Sequence, residues 1–499
     1  MKAKIAVRSG LNQNGLANDG QPVRLERVAG IEANHGRCRR HHDNHVAGDR
    51  IIHVTTYASL RQYYTTFSEG NLPLLVVTGR GGTAKSTLAV EIVRDAIRID
   101  CHVTACGLYR QLFIHRNKVL IIDDVDVGAL SGNMEYIEAS NRLWENATGK
   151  KIYITGGVGA SHTKGEAFDE PYILPNLNAY SETCGAVANM LWNFRLGKFY
   201  KDAKYFDVLE RTLYNAYLPA SSIHGVGYFY TNPLADRGKS NRSGWFDPPC
   251  CPTNISRTTP SVPGYLYLTD ENNLYVNLFM ESDSKIEVGG RKVGVVQQTN
   301  YPWDGEVKFI MSVDKPSEFT VKIRVPGWAR EEAIPLGLYS YMNKTDKGIS
   351  LKVNGKALKV SMEKGYAVIQ RKWQTDDVVT LSLPMEVRRV VSDDKVKENN
   401  GMVALERGPL VFCTEGVDNH GKTSNIILPD ESKLSCRFVK DLVGGITVIE
   451  GKAKTIGKNG KAVSSNFAAI PYFAWLNRGK GEMDIWIPRN VFASKVLNN

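Results

Sequence analysis

Two neighbouring cysteines, Cys250 and Cys251, followed by Pro252 in the stretch WFDPPCCPTN, are the residues in this sequence most suited to chemistry. Adjacent thiols are reactive and oxidisable. Upstream, AYSETCGAVANMLW contributes Glu182 and Cys184. Three sulfurs and one carboxylate oxygen make a ligand set of the kind zinc takes in tetrahedral geometry. A metal-held thiolate stays ionised at neutral pH, and one that can leave the metal is a nucleophile. The spacing, E-x-C and C-C, differs from Cys-x-x-Cys zinc modules, so unpaired buried thiols remain the alternative on residue types alone. Glu182 and Cys184 are two apart and would point to different sides of an ideal helix. They converge on one ion only at a helix start or on irregular backbone. Asn176 and Asn178, just upstream, suit a helix N-terminus nearby.

A second set of candidates lies earlier. LPLLVVTG (Leu72 to Gly79) reads as a buried parallel strand, GRGGTAKST as a glycine-rich loop and LAVEIVRDAI as a helix. The loop resembles a P-loop, with Gly79, Lys85 and Ser86 at the expected spacing and Ala84 where glycine is usual. Backbone N–H groups would wrap phosphate, with Lys85 neutralising it and Ser86 holding magnesium. KVLIIDDVD ends an apolar strand in Asp123 and Asp124, like a Walker B element. These residues suggest ATP and magnesium, on a truncated P-loop α/β segment.

Several classes are excluded by composition. At 499 residues, two to four domains are expected. No apolar run approaches a membrane span and the N-terminus lacks an apolar signal region. Eight cysteines are too sparse for a disulfide scaffold, which points to a reducing, cytoplasmic compartment. The net charge of +11 is scattered, so no specific nucleic-acid partner is implied. RCRRHHDNHV, with His41, His42 and His45, reads as a solvated segment.

The elements that must carry the candidates follow in order. Residues 1–54 have little periodicity, 55–132 hold the P-loop-like fragment, and 133–264 read as helical hairpins with acid-bearing loops. NMEYIEASNRLWENATGKK is amphipathic, with Tyr136, Ala139, Leu143 and Trp144 on one side. KIYITGGVGA is strand-like into a glycine turn. Beyond Cys251 the pattern alternates, giving two β-sandwich modules over 265–388 and 389–499. Asn354-Gly355 marks a hairpin.

From about Met134 to Pro488 the chain resembles glycoside hydrolase family 127, the β-L-arabinofuranosidases. The resemblance is carried by YITGGVGASHTKGEAF, LPNLNAYSETC, FYTNPL, WFDPPCCPTNISR, VALERGPLVF and IPYFAWLNRGKGEMDIWIP. It implies an (α/α)6 barrel followed by β-sandwich domains, and removal of a terminal arabinofuranose from a glycan with retention. It also implies zinc on Glu182, Cys184, Cys250 and Cys251, Cys250 as nucleophile, Glu166 as general acid/base and Tyr230 in the sugar pocket. Family members often associate through their β domains, which suggests a homodimer. The first half of the barrel has no counterpart in this sequence. The expectation is therefore a multidomain α + β chain with a partial barrel and weak or absent hydrolysis. The alternative is a P-loop nucleotide-binding protein with a passive C-terminal region.

Overall fold

The computed structural model describes residues 134–160, 167–246, 249–457, 461–491 and 493, together with five short N-terminal strands. Two compact units divide the chain near Ala139. In the first, Ile5–Ala6 pairs in parallel with Ile52–His53 and with Val77–Thr78. Two of these short strands fall in the segment expected to carry little structure. Ala96–Ile99 pairs in parallel with Val119–Ile122. The strand expected in KVLIIDD is therefore present. The helix expected over LAVEIVRDAI is not continued through its last two residues, Ala96 and Ile97. Ile97 and Ile99 instead pair with Leu120 and Ile122 of an apolar strand.

In the second unit, helix α1 spans Met134–Lys150. Its buried side chains are Trp144, Ala147 and Thr148, while Leu143 is 64 % exposed. The inward face is thus rotated from the expected one, because the indole Nε1 of Trp144 donates to the buried Asn193 side chain. KIYITGGVGA forms a tight turn closed by one bridge, Ile152 to Val158, rather than a strand. Helix α2 spans Thr183–Tyr200 and α3 spans Ala203–Thr212. They form a hairpin across Lys201, in left-handed conformation, and Asp202, whose side chain caps α3 by accepting from the Lys204 amide. Gly197 lets the helices close up: a Cβ there would stand 2.5 Å from the Phe206 ring. α3 runs on through a π-turn at Leu213–Tyr217. Helix α4, Cys250–Thr258, follows a long irregular segment.

The β region has two parts. A six-stranded sheet faces a five-stranded one across Val295, Phe309, Phe319, Ile369, Trp373 and Val379, as a sandwich. Asn354 and Gly355 both have positive φ and join Ser350–Val353 to Lys356–Leu358, the hairpin that their sequence announces. A larger assembly of strands follows, with Met402–Arg407 and Leu410–Glu415 at its centre. It reaches back into the helical region: Glu482–Asp484 pairs with Ala235–Arg237. Among the described residues no helix is long and apolar enough to cross a membrane.

Candidate functional site

Two helix N-termini meet here. Glu182 is the N-cap of α2, with extended backbone (φ −64°, ψ 141°), and Cys184 lies in its first turn. The change from extended to helical backbone between them removes the opposition that a continuous helix would impose. Cys250 and Cys251 are the first two residues of α4.

The α2 start is held by the segment Phe229 to Asn232. The Thr183 amide donates to the Tyr230 carbonyl at 2.9 Å, and the Asn232 amide donates to the Ser181 carbonyl at 3.1 Å. The buried Asn232 side chain donates to the Ser181 carbonyl and to the Thr183 hydroxyl oxygen. α4 packs against α2 one turn further on, where Val187 and Ile255 share a core. Val187 is three residues from Cys184 and Ile255 is four from Cys251, so each packing residue sits on its helix below a ligand.

Four ligand atoms, one each from Glu182, Cys184, Cys250 and Cys251, lie within 4.8 Å of one another. Cys184 Sγ is 3.6 Å from Cys251 Sγ, and Cys250 Sγ is 3.7 Å from Cys251 Sγ. Glu182 Oε1 is 3.9 Å from Cys250 Sγ and 4.0 Å from Cys251 Sγ. Sulfurs bound tetrahedrally at about 2.3 Å stand roughly 3.8 Å apart, so these edges fit a zinc-sized ion. Cys251 is fully buried and Glu182 nearly so, while Cys184 and Cys250 are half-buried.

Charge argues the same way. Hydrogen bonding with Cys251, and then with Asn254, pulls the Cys184 thiol down to about 6. Hydrogen bonding with Cys184 and burial push the Cys251 thiol up, and burial with the Cys184 charge pushes up Cys250. One thiolate therefore forms readily and opposes the next. Ionising all three beside a carboxylate requires a cation. The positive ends of α2 and α4 supply part of that charge.

Tyr230 is half-buried beside this centre. Its ring meets Tyr180 edge-on at 6.2 Å between centroids and Phe246 at 5.8 Å. Glu166, the expected acid/base, lies outside the described residues, as do Gly79, Lys85, Ser86 and Asp123. Sequence reading missed Asn254, whose Nδ2 donates to Cys184 Sγ at 3.0 Å, and Asn232. The available signal for Asn254 was its helical spacing from Cys250 and Cys251.

Three family models match the chain in succession: the GH127 β-L-arabinofuranosidase catalytic domain over residues 112–264, the middle domain over 273–385 and the family 127 C-terminal domain over 387–488. The catalytic match therefore includes Asp123. The chain is 30% identical over 430 residues to a non-reducing end β-L-arabinofuranosidase of Bifidobacterium longum subsp. longum, covering 80% of this chain and 61% of that protein. It resembles the structure of a GH127 β-arabinofuranosidase with TM-score 0.71 and 42% identity, over 74% of this chain and 58% of the other. A GH127 β-L-arabinofuranosidase from Geobacillus stearothermophilus T6 gives TM-score 0.67 and 37% identity, over 73% and 58%. The chain thus spans about three fifths of the length of these relatives.

Proposed function

The chain belongs, over residues 112–488, to glycoside hydrolase family 127, and on that premise we propose that it is a retaining β-L-arabinofuranosidase-type hydrolase built on a zinc–thiolate centre. The observation that carries this reading is the convergence of Glu182, Cys184, Cys250 and Cys251 at the N-termini of α2 and α4, with spacings that suit zinc. These four residues would hold the ion. Zinc bound there supplies the positive charge that keeps the sulfurs ionised at neutral pH.

The chain's own residues then divide the work. Cys250, half-buried where Cys251 is fully enclosed, presents its sulfur to the sugar. The sulfur attacks the anomeric carbon, a carbon–sulfur bond forms, and the bond to the leaving oxygen breaks. Glu166 gives its proton to that oxygen. In the second step Glu166, now a carboxylate, takes a proton from water. The water oxygen bonds to the anomeric carbon and the Cys250 thiolate departs, so configuration is retained after two displacements. Tyr230, with Tyr180 and Phe246 against it, offers an aromatic wall for the sugar ring.

The helical region is read as part of an (α/α)6 barrel. Free thiols at the centre suit a reducing, cytoplasmic compartment. A second reading, nucleotide binding through Gly79, Lys85 and Ser86, draws on the parallel pairing of Val77–Thr78. ATP binding lost in Lys85→Ala is its test.

The experiment for the main reading is elemental analysis of freshly purified, reduced protein, together with release of nitrophenol from 4-nitrophenyl β-L-arabinofuranoside. About one zinc per chain is expected, as in single-ion four-ligand sites. Zinc-free reduced protein that also fails to take up added zinc would overturn the reading.

A further inference from the structure

We infer that Asn254 is a positioning residue of the metal centre: its side-chain amide fixes the Cys184 sulfur as the permanent ligand and leaves Cys250 as the sulfur that can reach the sugar. This rests on the zinc–thiolate reading above.

The geometry separates the three sulfurs. Cys184 Sγ receives an N–H donor, Asn254 Nδ2 at 3.0 Å, across the gap between α2 and α4. Among the described residues neither Cys250 nor Cys251 Sγ receives one. Their contacts are with each other, with Cys184 and with Glu182. Asn254 lies four residues after Cys250 and three after Cys251, so it stands one turn along α4 on the ligand side. α4 therefore supplies two sulfurs and clamps the third.

The chemistry follows from what each group can donate. A metal-bound thiolate has lone pairs and no proton, so an N–H donor is its natural neighbour and an acceptor is not. The bond draws electron density from the Cys184 sulfur and fixes its side-chain rotation. A sulfur whose lone pair is engaged in that way is a poorer nucleophile, and hydrogen-bond partners behind metal ligands hold those ligands in place. Cys250, half-buried and without such a donor among the described residues, keeps its nucleophilicity.

The test compares Asn254→Leu, similar in shape without the donor, and Asn254→Ala with Ser256→Ala. Ser256 lies on the same helix and its hydroxyl donates within its own turn, to the Pro252 carbonyl. Zinc affinity is measured by competition with a chromogenic chelator, and the thiolate-to-metal absorption is recorded after cobalt substitution. Both Asn254 variants are expected to bind zinc roughly 10–100-fold more weakly and to shift the cobalt–thiolate band, as for other outer-partner losses. Ser256→Ala is expected to match the wild type. Equal zinc affinity in wild type and Asn254→Leu, or an equal loss in Ser256→Ala, would overturn this inference while leaving the metal reading intact. A wild type without zinc affinity would overturn both.

Discussion

The sulfurs of Cys184 and Cys251 stand 3.6 Å apart although 67 positions separate them in the chain. Each is in the first turn of its helix, so the positive ends of α2 and α4 face a common point. A cation binding there joins the two helices and is therefore part of the stability of the folded state. Removing zinc with a chelator is expected to lower the thermal midpoint, and restoring zinc to raise it. At a free zinc concentration of 100 times Kd the ion adds about 2.7 kcal/mol. In Cys251→Ser the chelator is expected to make no difference. An unchanged midpoint in chelator-treated wild type would refute the linkage.

Ligand and acid/base roles predict different losses. On the proposed mechanism Cys250→Ser removes both a ligand and the nucleophile, so zinc content and hydrolysis are expected to fall together. On the same reading Glu166→Gln removes the proposed proton carrier alone. Hydrolysis is expected to fall by about 10²–10⁴-fold with zinc content unchanged. A Glu166→Gln protein lacking zinc would instead place Glu166 among the ligands. Lys85→Ala is expected to alter neither quantity.

How much of this was legible in the sequence depended on the range of the interaction. Asn354-Gly355 announced its hairpin because a turn is decided by the φ of two residues. The four residues that converge, Glu182, Cys184, Cys250 and Cys251, could be picked out by residue type, and the need for a helix start between Glu182 and Cys184 followed from helical geometry. What holds that start was not legible. The bonds from Thr183 and Asn232 join segments about fifty residues apart, and no local pattern records that pairing. The face of α1 was misjudged for the same reason. Leu143 and Trp144 both belong to the apolar pattern, but only the indole N–H of Trp144 has a buried partner to reach, in Asn193, and Trp144 turns inward while Leu143 stays exposed. Asn254 reads as an ordinary helix residue until α2 is beside it.

The joint between helices and C-terminal sheet gives a stability prediction. Arg211 on α3 meets Glu406 of Met402–Arg407 at 2.6 Å, both side chains being buried. The same guanidinium also donates to the Ile154 and Ala333 carbonyls, and Tyr341 donates to Glu406 at 2.8 Å. Glu406→Ala leaves a buried cation without its counter-charge, which costs about 3–5 kcal/mol. Urea unfolding should show that loss, whereas breaking the exposed pair Arg437–Glu450 by Glu450→Ala should leave the unfolding curve close to that of the wild type, because solvent screens the pair. Equal losses from the two substitutions would mean that the buried pair contributes no more than a surface one.

Asp484 predicts a pH dependence. It lies in Glu482–Asp484, between Leu410–Glu415 and Ala235–Arg237. Burial pushes its carboxyl up from 3.8 to about 6, although Arg237 binds both its oxygens, at 2.9 and 3.1 Å, and Thr423 donates to one at 2.6 Å. Glu482 nearby adds to the upward push. The folded state thus keeps this proton to about pH 6, whereas the unfolded chain loses it near its ordinary value of 3.8. Between those values the folded state binds more protons, so this group's contribution to stability falls as pH rises. It is fully favourable below the lower value and fully lost above the upper one. Asp484→Asn cannot titrate, and groups elsewhere cancel in the comparison. The wild type's advantage in thermal midpoint over Asp484→Asn is therefore expected to shrink from pH 4 to pH 6 and to level off above that. Parallel profiles across that range would show that Asp484 is ionised throughout and that the Arg237 pair outweighs burial.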